Sequence, residues 1–227
     1  MRITKNLEDL RKRISAACAA AGRSENDVSI LAVSKRHSIE SIREAVAAGL
    51  RSMGENYVQE AIEKISQLGP DIEWHYIGRI QTNKTRLIAE NFAWAQTVDS
   101  EKIARRLSSQ RPNNMAPLNV CLQIDIDGTG EHGGIPASSA QPLCKYIDEL
   151  PRLKLRGLMA IPAPRNELDE QRQSFALLKG VYDDLLANGF NLDTLSMGMT
   201  NDLEAAILEG STMIRVGTAL FGPRPVE

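Results

Sequence analysis

Val28-Ser-Ile-Leu-Ala-Val-Ser34 is followed by Lys35 and then by Ser38-Ile-Glu-Ser-Ile-Arg-Glu-Ala-Val-Ala-Ala48. An apolar run of strand length passes into an amphipathic stretch of helix length, with Ser38 placed to cap it and Gly49 where it should stop. The recurrence of this strand–helix unit decides the fold. Further strand candidates lie at 50–54, 73–78, 94–98, 118–125, 154–161, 193–197 and 212–217, which makes eight with the first at 28–34. Helical spacing follows most of them, at 38–48, 56–67, 83–90, 100–110, 136–149, 167–187 and 200–209, and an extra helix at 4–21 precedes the first. Strands that alternate with helices must run parallel, because each crossover returns the chain to the same end. Eight such units close most naturally as an α/β fold of the (β/α)8 TIM-barrel type, here one domain spanning residues 1–227. An open doubly wound sheet is the alternative, but no Gly-x-Gly-x-x-Gly turn follows the first strand.

Composition narrows the function classes. Charged residues make up 25% of the 227 and the net charge is −2, so neither a polyanion partner nor an acidic tail is indicated. Arg105-Arg106 and the set Arg79, Lys84, Arg86 are interspersed with Asp99, Glu101 and Glu90, the pattern of solvated helix faces rather than a nucleic-acid patch. The N-terminus lacks the apolar core and cleavage signal of a leader, and no segment approaches the length of a membrane span, so a soluble cytoplasmic protein is expected. Cys18, Cys121 and Cys144 are odd in number and sit in apolar contexts, which suits buried small hydrophobes rather than a disulfide framework. His37, His75 and His132 lack the close spacing of a metal site on one element, and no metal is expected.

The chemistry starts at Lys35. An amine at the mouth of an apolar pocket loses hydration, which disfavours its charged form and makes it a nucleophile toward carbonyls, the requirement for a Schiff base. The plain alternative is a lysine marking where a strand meets solvent. A second signal lies far downstream, in Ser196-Met-Gly-Met-Thr-Asn-Asp202, which leaves strand seven and opens a helix. Its hydroxyls and N–H groups suit an anion, and Gly198 would let the backbone approach it. After strand eight, Arg215-Val-Gly-Thr218 adds the pair Gly217 and Thr218. Each loop alone is weak, since Ser or Thr before a helix is first an N-cap. Together, at consecutive strand ends of a barrel whose first strand ends on lysine, they indicate a phosphate-bearing aldehyde, pyridoxal 5′-phosphate. Arg215 is placed to donate to the ring nitrogen and leave it unprotonated, or is a surface arginine at a strand end. Asn56 is either a helix cap or a contact to the phenolic oxygen, and His75 faces the barrel interior or is a satisfied core histidine. The glycine-dense loop Asp127-Gly-Thr-Gly-Glu-His-Gly-Gly134 is a lid or, by default, a flexible connection.

Ala32-Val-Ser-Lys35, Gly54-Glu-Asn-Tyr-Val-Gln-Glu60, Trp74-His-Tyr-Ile-Gly-Arg-Ile-Gln-Thr-Asn-Lys84, Arg156-Gly-Leu-Met-Ala-Ile161, Ser196-Met-Gly-Met-Thr200 and Arg215-Val-Gly-Thr218 resemble, in that order, the pyridoxal phosphate homeostasis protein family. The resemblance implies a barrel similar to the N-terminal domain of alanine racemase. It implies a protein that buffers or delivers the cofactor inside the cell, holding it as a Schiff base on Lys35. The expected binding set is Lys35, Asn56, His75, Met159, Ser196, Gly198, Met199, Thr200, Arg215, Gly217 and Thr218, with no catalytic residue assigned. Arg79 and Thr82 depart from the family's usual proline and serine, Thr200 stands where serine is common, and His132 lies near the family's usual lysine.

A racemase needs two bases on opposite faces of its substrate. The racemase tyrosine comes from a C-terminal domain that is not expected here, which leaves Tyr57, Tyr76 and His75 as the nearby candidates. A carrier without turnover, partnered by apo forms of enzymes that use the cofactor and monomeric, is therefore expected. A racemase or amino-acid lyase is the alternative, and a barrel that binds another phosphate is the third.

Overall fold

Ala32 pairs with Met53 on one side and with Val216 on the other, which closes the sheet on itself. The computed structural model describes residues 2–223, so the ends of the expected domain, residue 1 and residues 224–227, lie outside the described residues. The strands are β1 (Ser29–Val33), β2 (Ser52–Glu55), β3 (Glu73–Tyr76), β4 (Trp94–Val98), β5 (Leu118–Gln123), β6 (Leu153–Met159), β7 (Thr194–Ser196) and β8 (Met213–Val216). They pair in chain order as a closed parallel barrel. The helices are α1 (Arg2–Ala20), α2 (Ile39–Ala47), α3 (Val58–Gln67), α4 (Thr85–Asn91), α5 (Glu101–Gln110), α6 (Ala140–Asp148), α7 (Leu168–Ala187), α8 (Leu203–Leu208) and α9 (Thr218–Phe221). Every strand and helix expected from the sequence is present, with ends displaced by a few residues. The short α9 is additional, because four residues carry too little periodicity to be seen.

Alternation along each strand sorts side chains between two cores. Leu31, Val33, Ile77 and Met213 form one small cluster inside the barrel, and Trp94, Cys121 and Met159 form another. Their neighbours Ala32, Trp74, Tyr76, Ala95, Ile214 and Val216 face outward into the large core beneath the helices. Cys18, Cys121 and Cys144 are all buried and unlinked, as small hydrophobes.

Local chemistry sets several ends. Ser38 Oγ accepts the Ser41 N–H at 3.3 Å and caps α2, and Gly49 leaves that helix at φ 97. Asn56, however, does not cap α3, whose N-cap position is Tyr57 with no side-chain cap bond. α1 presents Ile3, Leu7, Leu10, Ile14, Ala17 and Cys18 to the core and packs on α8 and α9. Its Arg13 donates to Glu204 at 2.6 Å and to the Thr200 carbonyl at 2.9 Å. The extra N-terminal helix thereby braces the loop between β7 and α8. No helix among the described residues is long and apolar enough to cross a membrane, and no cluster of His, Cys, Asp and Glu suited to a metal occurs among them.

Candidate functional site

A cleft of about 490 Å³ opens at the C-terminal ends of the strands, the face on which (β/α)8 barrels carry their chemistry. Lys35, His37 and Asn56 line it from the first two strand ends, and Met199, Thr200, Gly217 and Thr218 from the last two. Arg215 forms part of its floor, and Arg165, Asn166 and Gln171 line it from the β6–α7 loop and the first turns of α7.

Lys35 sits just past β1, in a turn closed by the His37 N–H donating to the Ser34 carbonyl at 3.1 Å. Arg36, the third residue of that turn, has φ 62, a left-handed conformation that glycine would take without penalty. Side chains from β2 and α3 support this turn. Lys64 Nζ donates to the Ser34 carbonyl at 2.7 Å, to Glu55 Oε1 at 2.8 Å and to Glu60 Oε1 at 2.6 Å. Ser34 Oγ donates to Glu55 Oε1 at 2.6 Å, and the Arg36 N–H donates to Glu60 Oε1 at 2.6 Å. Burial holds the Glu55 carboxyl above its ordinary range, with Lys64 opposing the shift. His37 stacks on Phe221 of α9 with ring centroids 4.7 Å apart, joining the first strand end to the last.

Arg215 is only 4% exposed, so the alternative of a surface arginine fails. Its Nη1 donates to the Ser196 carbonyl at 2.7 Å and to Ser196 Oγ at 2.9 Å, and its Nη2 donates to the Ala160 carbonyl at 2.8 Å. Burial pushes its pKa down to about 10, partly offset by Asp202, so the guanidinium stays charged at neutral pH. Behind it, Ser196 Oγ donates to Gln96 Oε1 at 2.7 Å, and Gln96 Nε2 lies 2.9 Å from His75 Nδ1. With the amide oxygen committed to Ser196, the Gln96 nitrogen donates to Nδ1, and His75 Nε2 donates to Glu73 Oε1 at 3.0 Å. Burial holds His75 below its ordinary pKa, in keeping with that neutral tautomer, and the His75 hydrogen bond holds the Glu73 carboxyl low.

Of the expected site residues, Lys35, Asn56, Met199, Thr200, Arg215, Gly217 and Thr218 meet at the cleft. Ser196, His75, Met159 and Gly198 are not among its lining residues. Ser196 reaches it through Arg215. His75 is fully buried and stacks on Trp94 at 4.9 Å, one layer down in the barrel, and Met159 packs with Trp94 and Cys121 in that same layer. Gly198 has φ 94, and a Cβ there would lie 2.5 Å from Ala206 Cβ. The glycine is therefore required by the turn and by contact with α8 rather than by approach to a ligand.

The glycine-dense loop does not line the cleft either. The Asp125 carboxylate accepts the Gly128 N–H at 3.1 Å and the Gly130 N–H at 2.8 Å, and Gln123 Nε2 donates to the His132 carbonyl at 2.8 Å. Asp127 accepts the Ala163 N–H at 2.6 Å and pairs with Arg165 at 3.2 Å, bracing the β6–α7 loop that does reach the cleft. His37, Asp202 and the Glu55, Glu60, Lys64 cluster were not read as site residues from sequence. Asp202, Glu55 and Glu60 fall inside the quoted motifs, and His37 lies two residues beyond Lys35 on the same turn, whereas Lys64 carried no signal.

A parallel eight-stranded barrel headed by a lysine-rimmed cleft defines the class described as alanine racemase, N-terminal domain, and the model of that family matches residues 5–225. A pyridoxal phosphate homeostasis protein of Pseudomonas aeruginosa is 50% identical over 223 residues, covering 98% of this chain and 96% of that protein. Its counterpart in Haemophilus influenzae is 48% identical over 229 residues, covering 99% and 97%. The chain belongs to the pyridoxal phosphate homeostasis protein family. PipY of Synechococcus elongatus, solved with PLP bound, superposes with a TM-score of 0.84 at 35% identity, over 97% of this chain and all of that one.

Proposed function

We propose that this protein binds pyridoxal 5′-phosphate at the barrel cleft and buffers or delivers it, with Lys35 as the point of covalent attachment. The observation that carries this reading is the convergence of the Lys35 turn, the buried Arg215 and the two loops after β7 and β8 on one cleft. The residues present suit the group. Asn56 Oδ1 is buried without a protein partner at the cleft wall, an acceptor that a bound hydroxyl or ring substituent would satisfy. Thr200 and Thr218 offer hydroxyls to the cleft, and Thr200 Oγ1, which accepts the Ala219 N–H at 3.4 Å, keeps its own proton to donate. Arg215 holds a fixed positive charge at the floor and can only donate, so it would face an unprotonated ring nitrogen. When bound, the cofactor supplies an aldehyde for reversible attachment of amines. The chain's own part is to present an amine at Lys35, anchor the phosphate opposite it, and keep a donor beneath the ring.

Carrier rather than enzyme is the reading supported by the relatives' names and by the cleft walls. Tyr76 donates to the Arg79 carbonyl at 3.1 Å and packs edge-on against Phe92 on the outer side of the sheet. Tyr57 is 49% exposed, and no tyrosine lines the cleft among the described residues. Adding pyridoxal phosphate, reducing with borohydride and mapping the labelled peptide tests the proposal. A pyridoxyl group on Lys35, and transfer of unreduced cofactor to an apo-enzyme, are expected. Label elsewhere, or steady conversion of added amino acids, would overturn it.

A further inference from the structure

Lys35 has left the barrel ladder. The last strand bond before it is the Ser34 N–H donating to the Gly54 carbonyl at 3.0 Å, and Arg36 beyond it holds a backbone angle that non-glycine residues avoid. Something outside β1 must fix the direction in which the lysine leaves the turn. Both peptide groups that flank Lys35 are bonded by side chains of one helix, α3. Lys64 donates to the carbonyl of the Ser34–Lys35 peptide, and Glu60 accepts from the N–H of the Lys35–Arg36 peptide.

We infer that Glu60 and Lys64 are positioning residues: they clamp the peptides on either side of Lys35 and so set the direction and rate of its attachment to an aldehyde. The inference rests on the cofactor-binding reading above. Lys64 cannot itself be the attacking amine, since its three protons are given to the Ser34 carbonyl, Glu55 and Glu60 and it does not line the cleft. Glu60 Oε1 accepts from both Arg36 and Lys64, which ties the two halves of the clamp through a single atom. The residues are four apart on α3, so one helical face meets both peptides. Glu55, on the outward-facing side of β2, anchors Lys64 from beneath. The attachment joins the Lys35 nitrogen to the aldehyde carbon and releases one water. It requires a near-attack geometry, and a turn free to rotate would lose it.

Glu60 is the better residue to alter, because its side chain is 27% exposed, against 6% for Lys64. Glu60→Gln keeps an oxygen able to accept the Arg36 N–H, whereas Glu60→Ala removes it. The experiment follows attachment of pyridoxal phosphate to the full chain by timed borohydride trapping. Reversible binding is measured separately by dialysis of 4′-deoxypyridoxine 5′-phosphate, which has no aldehyde. Glu60→Ala should slow attachment at least tenfold while binding of the deoxy compound stays within about twofold, and Glu60→Gln should recover most of the rate. Attachment by Glu60→Ala at the unaltered rate would overturn the clamp, as would parallel loss of attachment and deoxy-compound binding, which marks a general role in folding. An unlabelled Lys35 in the unaltered protein would instead defeat the cofactor-binding reading, and the clamp with it.

Discussion

The two sides of the cleft are built from different materials. On the β1–β2 side, Lys35 is supported by a nearly closed charged cluster, with Glu55 and Lys64 paired at 2.8 Å and almost wholly buried. On the β7–β8 side, Met199, Thr200, Gly217 and Thr218 are placed by backbone geometry, by the left-handed Gly198 and by contact with α1 and α8. The contrast suits the tasks proposed for each. A covalent point of attachment needs one side chain aimed accurately, and ionic hydrogen bonds aim well because they are short and directional. A phosphate needs several N–H and hydroxyl donors, which a turn beside a helix start supplies. The two sides should therefore fail differently.

Lys35→Ala should break the first side completely. The borohydride-trapped label should vanish, while phosphate-anchored binding of pyridoxal phosphate persists at reduced affinity in dialysis; an unchanged label would remove Lys35 from its role. Next, Lys64→Met leaves the buried Glu55 without its cationic partner and should cost about 3–5 kcal/mol in urea unfolding. Adding Glu55→Gln should return most of that loss, since removing both charges is far less costly than removing one. On the other side, Gly198→Ala forces a side chain into a positive φ and against Ala206, and about 3 kcal/mol of destabilisation is expected. That loss should be insensitive to pH, and binding of the deoxy compound should suffer with it; a neutral effect would show that the turn relaxes freely.

The smallest effect sharpens the comparison through pH. Because burial raises the Glu55 carboxyl, the folded chain holds this proton more tightly than the unfolded chain. The resulting stability is fully present below the ordinary carboxylate pKa and is lost as pH rises through the folded value. The urea midpoint of the unaltered protein should therefore carry a decline above the ordinary carboxylate range that Glu55→Gln lacks. Equal pH profiles for the two proteins would place Glu55 at an ordinary pKa.

The strands were legible because each apolar run is short, bounded and followed by a capped amphipathic stretch, as in 28–34 with Ser38. Lys35, Arg215 and the paired loops were legible because strand-end position is a local property in a barrel of known chain order. For Asn56 the sequence offers a cap or a ligand contact, and the structure removes the cap, since Tyr57 takes the N-cap position of α3. The inward residues were less legible. His75 and Gln96 lie 21 residues apart in sequence and Gln96 and Ser196 lie 100 apart, yet the three adjoin in one buried layer, and nothing local shows that His75 reaches the cleft only through Gln96, Ser196 and Arg215.

By itself the sequence determined the alternating units, their parallel closure and the strand ends on which reactive residues fall, since periodicity and capping act over a few residues. Tertiary structure alone decided which side chains face the cleft and which face the barrel layers. It also decided that Glu60 and Lys64 reach across from α3 to the peptides around Lys35. Those outcomes depend on closure of the barrel, which brings distant strands and helices within hydrogen-bond distance only after the whole chain has folded.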